Sequence, residues 1–235
     1  MDQARKPSKD DPSRPTEHGY AYKKQFYRES AVASDYDFHR FGEPRRVRRN
    51  IKKWKAICKA LDETDGVESV LDIPCGTGRF TGSLAERGHL VIGSDISLEM
   101  MVEAQSKFND LERFAGYVQA DAEALPMPDS SVDCVMSIRF MFHVDPATRV
   151  RILREMGRVS RRWLIIDYRH CYTPRYLKWK IKSALRMTKT PLERVSRREM
   201  EDEFREAGIK IRRVIPVARV FSDKWIVVGE SPHNA

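Results

Sequence analysis

The sequence predicts an α/β chain built on a doubly wound, mostly parallel sheet with helices on both faces. Three observations carry this expectation. Ser69–Ile73 is a short apolar run that reads as a buried strand. Gly76 and Gly78 then open a tight turn, and Phe80–Arg87 reads as a helix closed by Gly88. A second apolar run, His89–Ser94, reads as a parallel neighbour of the first and ends at Asp95. Strand, glycine turn and helix start together make a nucleotide-binding device. The glycines let backbone approach a ligand, and the free N–H groups of the first helical turn face it. An acid at the tip of the second strand is placed to accept hydrogen bonds from ribose hydroxyls.

Composition bounds what surrounds this device. With 235 residues and 41% hydrophobic content the chain can bury one full core, so one domain with appendages is expected. The net charge of +9 favours an anionic partner, whether nucleic acid, membrane surface or phosphorylated substrate, without choosing among them. Many basic proteins have no such partner, and that reading stands beside it. Cys58, Cys75, Cys134 and Cys171 form no C-x-x-C, so reduced thiols and no metal site are expected. No apolar run approaches the roughly 18 residues of a membrane span, and the first residues lack an apolar secretory core. The expected location is the cytoplasm.

In chain order, residues 1–18 are charged and proline-bearing and read as a disordered tail. Tyr20, Tyr22, Phe26, Tyr27, Tyr36, Phe38 and Phe41 follow as an aromatic cluster suited to packing a first helix onto the domain. Pro44–Leu61 reads as a helix with Val47, Ile51, Trp54, Cys58 and Leu61 on one apolar stripe. Arg45, Arg46, Arg48, Arg49, Lys52, Lys53, Lys55 and Lys59 take the remaining surface, either as a solvated face or as an anion-attracting one. After the glycine turn, Ser97 caps a helix carrying Glu99 in its first turn. Tyr117–Gln119 ends a third strand, and Val132–Ile138 is a fourth that runs into Ser137-Ile-Arg139-Phe-Met-Phe-His143.

Pro146–Val159 is the next helix, with Val150, Leu153, Met156 and Gly157 inward. Trp163–Asp167 is the fifth strand, ending in Asp167-Tyr-Arg-His170. Ligands of doubly wound sheets lie beyond the carboxyl ends of the strands, so the fourth and fifth strand exits face the chemistry. Asp167 reads there as a helix cap or as the group that orients a base. Residues 172–198 form a basic amphipathic insertion. Leu177, Ile181, Ala184 and Leu185 share a face with Tyr176 beside it, flanked by Lys178, Lys180, Lys182 and Arg186, with Trp179 among them. That pattern fits an anionic membrane interface or a lid whose apolar face packs inward. Ser196 with Glu199 caps the last helix, which ends at Gly208. Ile209–Val217 and Lys224–Val228 are the final strands.

The glycine turn departs from the dinucleotide fingerprint, because Thr81 stands where the third glycine belongs. Asp72 inside the strand and Cys75-Gly76-Thr77-Gly78 after it resemble motif I of the class I S-adenosylmethionine-dependent methyltransferases. The resemblance continues through Gly93-Ser-Asp95-Ile-Ser97-Leu-Glu-Met100, Ala120-Asp121-Ala122 and Leu125-Pro-Met-Pro-Asp129. It covers roughly residues 45–170 and is similar to the small-molecule branch that includes the ubiquinone and menaquinone biosynthesis enzymes. Pro74 is a departure, standing where the common pattern has glycine and removing a backbone donor.

The resemblance implies a Rossmann-like sheet of seven strands with an antiparallel C-terminal strand, a domain over residues 19–230, and residues 19–62 as a lid or cap. It implies S-adenosylmethionine as cofactor, held by Asp72, Pro74, Cys75, Gly76, Gly78, Asp95, Ile96, Met100, Asp121, Ala122 and Ser137. Met100 should pack near the adenosine, and Asp121 with Ala122 should frame the adenine; Met100 and Met101 as plain core is the competing reading. The implied reaction is methyl transfer by in-line displacement to a small-molecule or lipid-linked acceptor, with oxygen as the acceptor atom. His143 is the first candidate base and His170 the second, and Arg139 pairs with an acidic acceptor or the cofactor carboxylate.

A peripheral contact with the inner, anionic membrane face follows from the basic insertion. Two other readings remain. The positive charge suits an RNA methyltransferase, although Ser137-Ile-Arg-Phe lacks the proline-aromatic grip of nitrogen-methylating nucleic-acid enzymes. A non-catalytic cofactor-binding protein is the other, although Gly76, Gly78, Asp95 and Asp121 are all in place.

Overall fold

A computed structural model describes residues 44–108, 111–187, 194–218 and 222–231. The tail expected over residues 1–18 and the aromatic segment expected over residues 19–43 lie outside the described residues.

Helix α1 (Pro44–Asp62) leads into β1 (Ser69–Asp72), α2 (Arg79–Glu86), β2 (Leu90–Asp95), α3 (Leu98–Phe108) and β3 (Phe114–Gln119). Strand β4 (Val132–Ser137), a 3-10 turn at Met141–His143, α4 (Pro146–Val159) and β5 (Ser160–Arg169) follow. Helices α5 (Pro174–Ala184) and α6 (Arg197–Glu206) precede β6 (Lys210–Pro216) and β7 (Lys224–Glu230). The strands form one seven-stranded sheet in the order β3-β2-β1-β4-β5-β7-β6. All neighbours run parallel except those of β7, which is antiparallel to β5 and β6. The order reverses between β1 and β4. Asp72 at the end of β1 lies level with Gly93 of β2 and Met136 of β4, so the carboxyl ends of the three strands open one crevice.

The sheet is buried on both faces, which is why its strands read as near-continuous apolar runs. Successive side chains point to opposite faces. Leu71, Val135 and Leu164 meet Leu153 and Met156 of α4 and Phe204 of α6. Val70, Met136 and Ile165 meet Ile57 of α1 and Leu84 of α2 on the other side. Each such fully buried aliphatic side chain contributes about 1.5–3 kcal/mol.

Three local expectations change. Val47 and Ile51, expected on the buried stripe of α1, are 44% and 49% exposed. The face turned inward carries Lys53, Ala56, Ile57, Ala60 and Leu61. Lys53, read from the sequence as part of the charged surface, is buried because its ammonium pairs with Asp167 of β5. Strand β5 is longer than its apolar run, because it pairs with β7 from Trp163↔Glu230 to Arg169↔Lys224, and backbone pairing asks nothing of side-chain polarity. Helix α5 starts where expected, with Thr173 Oγ1 accepting the Tyr176 N–H, yet it buries no residue. Leu177, Ile181 and Leu185 are exposed, so its apolar face does not pack inward as a lid.

Candidate functional site

The site is assembled from four strand exits. After β1, Ile73 and Pro74 are joined by a cis peptide bond, and the Cys75 N–H donates to Ser94 O of β2 at 2.8 Å. The chain then turns through Gly76 (φ 55°) and Gly78 (φ 76°), both left-handed, where glycine is favoured. A Cβ at Gly78 would come within 2.9 Å of Ala104 Cβ and 2.8 Å of Phe108, so side-chain bulk is excluded twice over. A Cβ at Gly76 would meet nothing within 4 Å, because that residue faces the open crevice. Gly78 offers no side-chain cap to α2; the Asp72 carboxylate takes the Thr81 N–H in that first turn instead, and the positive end of the helix meets the crevice at Arg79 and Phe80.

Asp95 closes β2 and ties the two strand exits together. Its Oδ2 accepts the Gly76 N–H at 2.8 Å and its Oδ1 accepts the Ser97 N–H at 3.0 Å. Burial pushes its carboxyl above the usual range, against the pull of these backbone donors. The Ile96 N–H also reaches this carboxylate, which has about four lone-pair positions in all, so about one remains for a ligand. Ser97 Oγ in turn accepts the Met100 N–H at 3.2 Å, fixing α3 and setting Met100 into the wall.

These groups bound a crevice of about 1040 Å³. Its floor is Ile73–Thr77; Asp95, Ile96, Met100, Ala120 and Ala122 form one wall, and Ile138, Arg139, Phe140 and His143 the other.

Other residues singled out in the sequence stand behind this surface. Asp72 is fully buried, accepts the Thr81 hydroxyl at 2.8 Å, and is pushed up to about 7, chiefly by burial. It fastens the turn to α2 and is not part of the lining. The Oδ1 of Asp121 accepts the Glu123 N–H at 3.1 Å, which shapes the turn that presents Ala122. Ser137 ends β4 fully buried, and its hydroxyl has no hydrogen-bond partner among the described residues.

The second wall depends on a buried ion pair. Arg139 has φ 68°, left-handed for a residue with a side chain, a conformation that costs about 1–2 kcal/mol. Its backbone N–H donates to Asp167 Oδ1 at 2.6 Å, while Asp167 Oδ2 holds the Lys53 ammonium. Burial pushes Lys53 down to about 8, with the Asp167 carboxylate working against the shift. Asp167 caps no described helix; its two oxygens hold the Lys53 ammonium and the Arg139 N–H, which anchors the β4 exit. Lys53 was missed as a site-building residue. The signal available was its three-, four- and seven-residue spacing to Ala56, Ile57 and Ala60, which places a long lysine stem on the buried face.

The three catalytic candidates separate. Arg139 and His143 line the crevice. His143 closes the 3-10 turn, its backbone N–H donating to Phe140 O at 2.8 Å and its ring 4.2 Å from that of Phe142. His170 lies past the end of β5, outside that lining. Its ring stacks on Trp225 at 4.4 Å, its Nδ1 accepts the Tyr172 N–H at 3.2 Å, and burial lowers its pKa.

Comparison with known proteins gives a consistent family. Residues 70–162 match a family model described as a methyltransferase domain. An uncharacterized 37.1 kDa protein of a Streptomyces fradiae transposon is 33% identical over 178 residues, covering 70% of this chain and 49% of that protein. The ubiquinone/menaquinone biosynthesis C-methyltransferase UbiE of Methylococcus capsulatus is 35% identical over 117 residues, 45% of this chain and 47% of that enzyme. The chain thus spans about half the length of the curated relatives it matches. Among solved structures, magnesium protoporphyrin IX methyltransferase from Synechocystis, with bound S-adenosylhomocysteine, superposes with a TM-score of 0.70 at 18% identity. The superposition covers 89% of this chain and 98% of that one, so the two share a fold.

Proposed function

We propose that this chain, which belongs to the class I S-adenosylmethionine-dependent methyltransferase family, binds that cofactor in the β1–β2–β4 crevice and methylates a small-molecule or lipid-linked acceptor. The observation that carries the reading is the Asp95 carboxylate, which lines the crevice at the tip of β2 and is fixed there by the Gly76, Ser97 and Ile96 amides. Its remaining acceptor position suits a ribose hydroxyl. The glycine turn and the positive end of α2 suit the carboxylate of the amino-acid end, and Ile96, Met100 and Ala122 offer apolar walls to the adenine. Asp72 and Asp121 shape these contacts from behind.

The cofactor supplies a methyl group on a sulfonium, with a neutral leaving group. What the chain must add is alignment, worth about 7–11 kcal/mol when the reacting atoms are held in line. An oxygen acceptor also gives up a proton. His143 is the imidazole that lines the crevice, and a positioned base of this kind contributes about 10²–10⁴ in rate. Arg139, on the same wall, holds an anionic acceptor or the cofactor carboxylate. His170 is a positioning residue for the β5 exit in this scheme.

The domain is taken to run from residue 19 to 230, with residues 19–62 as its cap and 172–198 as an insertion. The exposed apolar face of α5, flanked by Lys178, Lys180 and Lys182, favours a lipid-linked acceptor met at an anionic membrane surface on the cytoplasmic side. No described helix is long and apolar enough to cross a membrane. An RNA acceptor is not favoured, because the β4 exit carries no proline-aromatic grip for a base. Calorimetric titration with S-adenosylmethionine tests the reading: saturable binding that is lost in Asp95→Ala supports it, and no binding by the wild-type chain overturns it.

A further inference from the structure

The 3-10 turn Met141–His143 is a wall between two cavities. Phe140 and His143 line the crevice already described. Met141 and Phe142 line a second cavity of about 640 Å³, which is otherwise unassigned. Its remaining lining is unusually cationic, with Arg149 of α4, Arg169 at the end of β5, and Arg194 before α6, against one acid, Glu199. We propose that this second cavity binds an anionic group, carboxylate or phosphate, of the methyl acceptor, with the Arg169 guanidinium as its principal ligand.

The three arginines are not equivalent. Arg149 is engaged: its Nε and Nη2 donate to Glu203 at 3.0 and 2.6 Å, and its Nη1 donates to Val144 O at 2.7 Å. The Arg194 side chain is 5% exposed and pairs with Asp223 at 2.7 Å. Glu199 is also engaged, accepting the Ser196 N–H at 2.6 Å in the cap of α6. Arg169 differs. Its Cζ lies 3.5 Å over the Phe142 ring, and its buried Nε has no hydrogen-bond partner among the described residues. Burial and then the Arg194 charge push its pKa down, while Asp223 and Asp167 pull the other way.

A planar fork held flat against an aromatic ring, with an unsatisfied buried donor and a second cation beside it, is the arrangement that takes a planar or tetrahedral oxyanion through two hydrogen bonds. The turn that separates Arg169 from His143 is three residues long, about 6 Å of 3-10 rise. An acceptor lying over its half-exposed edge would reach both. The charge would sit a few bonds from the methylated atom, so Phe142 and Arg169 would set which acceptors align.

The inference rests on the proposed methyl transfer for the word acceptor, and the test separates the two. Calorimetry with inorganic phosphate and, in parallel, with S-adenosylmethionine is run on the full chain and on Arg169→Met, Arg169→Lys and the surface control Arg198→Ala. Saturable phosphate binding is expected in the wild type, weakened about tenfold or more in Arg169→Met. Partial recovery is expected in Arg169→Lys and no change in Arg198→Ala, with cofactor affinity the same in all four. Absence of phosphate binding, or equal binding by Arg169→Met, overturns the site. Phosphate binding that depends on Arg169 in a chain with no cofactor affinity keeps the site and overturns the proposed function instead. Labelled methyl transferred into the anionic fraction of a bacterial extract, with a raised KM in Arg169→Met, supports the acceptor as the source of the anion. Label confined to the neutral fraction overturns that assignment.

Discussion

Replacing Lys53 by Met removes the charge of a buried ammonium while keeping most of its volume. Lys53 and Asp167 are 2% and 0% exposed, so neither is replaced by water when its partner goes. The Asp167 carboxylate in Lys53→Met keeps the hydrogen bond from the Arg139 N–H at 2.6 Å and the more distant charges of Lys224 and Arg169, and loses the ammonium in contact with it. Breaking a buried pair from one side costs about 3–5 kcal/mol. The left-handed backbone at Arg139, itself about 1–2 kcal/mol uphill, then loses a well-placed anchor. Lys53→Met is therefore expected to be about 3–5 kcal/mol less stable at pH 7 in urea unfolding.

The double variant Lys53→Met/Asp167→Asn leaves no unpaired charge and keeps an oxygen to accept the Arg139 N–H. It should recover most of the loss, returning to within about 2 kcal/mol of the wild type. The cycle isolates the pair if the denaturant slope is unchanged across the set. A single variant within about 1 kcal/mol of the wild type, or a double variant no better than the single, would refute the claim that this pair anchors the second wall.

Other expectations follow from the same geometry. Asp72 has a folded pKa of about 7 against an ordinary value of 3.8, so the folded state binds more protons between those values. Stability should fall as pH rises through that window, by up to a few kcal/mol, and Asp72→Asn should flatten the fall in denaturation series at pH 4 and pH 8. Gly78→Ala should lose about 2–4 kcal/mol, from the left-handed backbone together with contacts under 3.0 Å to Ala104 and Phe108, measured by thermal or urea unfolding. His143→Ala should lower kcat by about 10²–10⁴ while the affinity for S-adenosylmethionine stays put, read by single-turnover transfer beside calorimetry. Ile181→Ser with Leu185→Ser should leave the melting curve unchanged, since both side chains are exposed, and abolish co-sedimentation with anionic vesicles.

The sequence disclosed most of the sheet because its strands are buried on two faces and read as unbroken apolar runs. Glycine spacing disclosed the β1 turn because Gly76 and Gly78 occupy left-handed backbone that few other residues accept. Asp95 was legible for a related reason: an acid at a strand tip has few structural uses. The second wall was far less legible. Lys53, Arg139 and Asp167 come together from segments separated by 86 and 28 residues, and no local pattern announces a pairing of that span. The orientation of α1 was misjudged because apolar spacing admits more than one inward face, and a buried lysine decided which. His170 fell on the right sheet edge, yet its ring is taken up by Trp225, a partner on β7 that the strand pattern does not pair with it in advance.

The most direct test is a crystal of the full chain grown with S-adenosylhomocysteine. The account expects density along the β1–β2–β4 crevice, with ribose hydroxyls on the Asp95 carboxylate and the sulfur facing the wall that carries Arg139 and His143. An empty crevice in a saturated crystal, or the ligand held elsewhere on the chain, would contradict it.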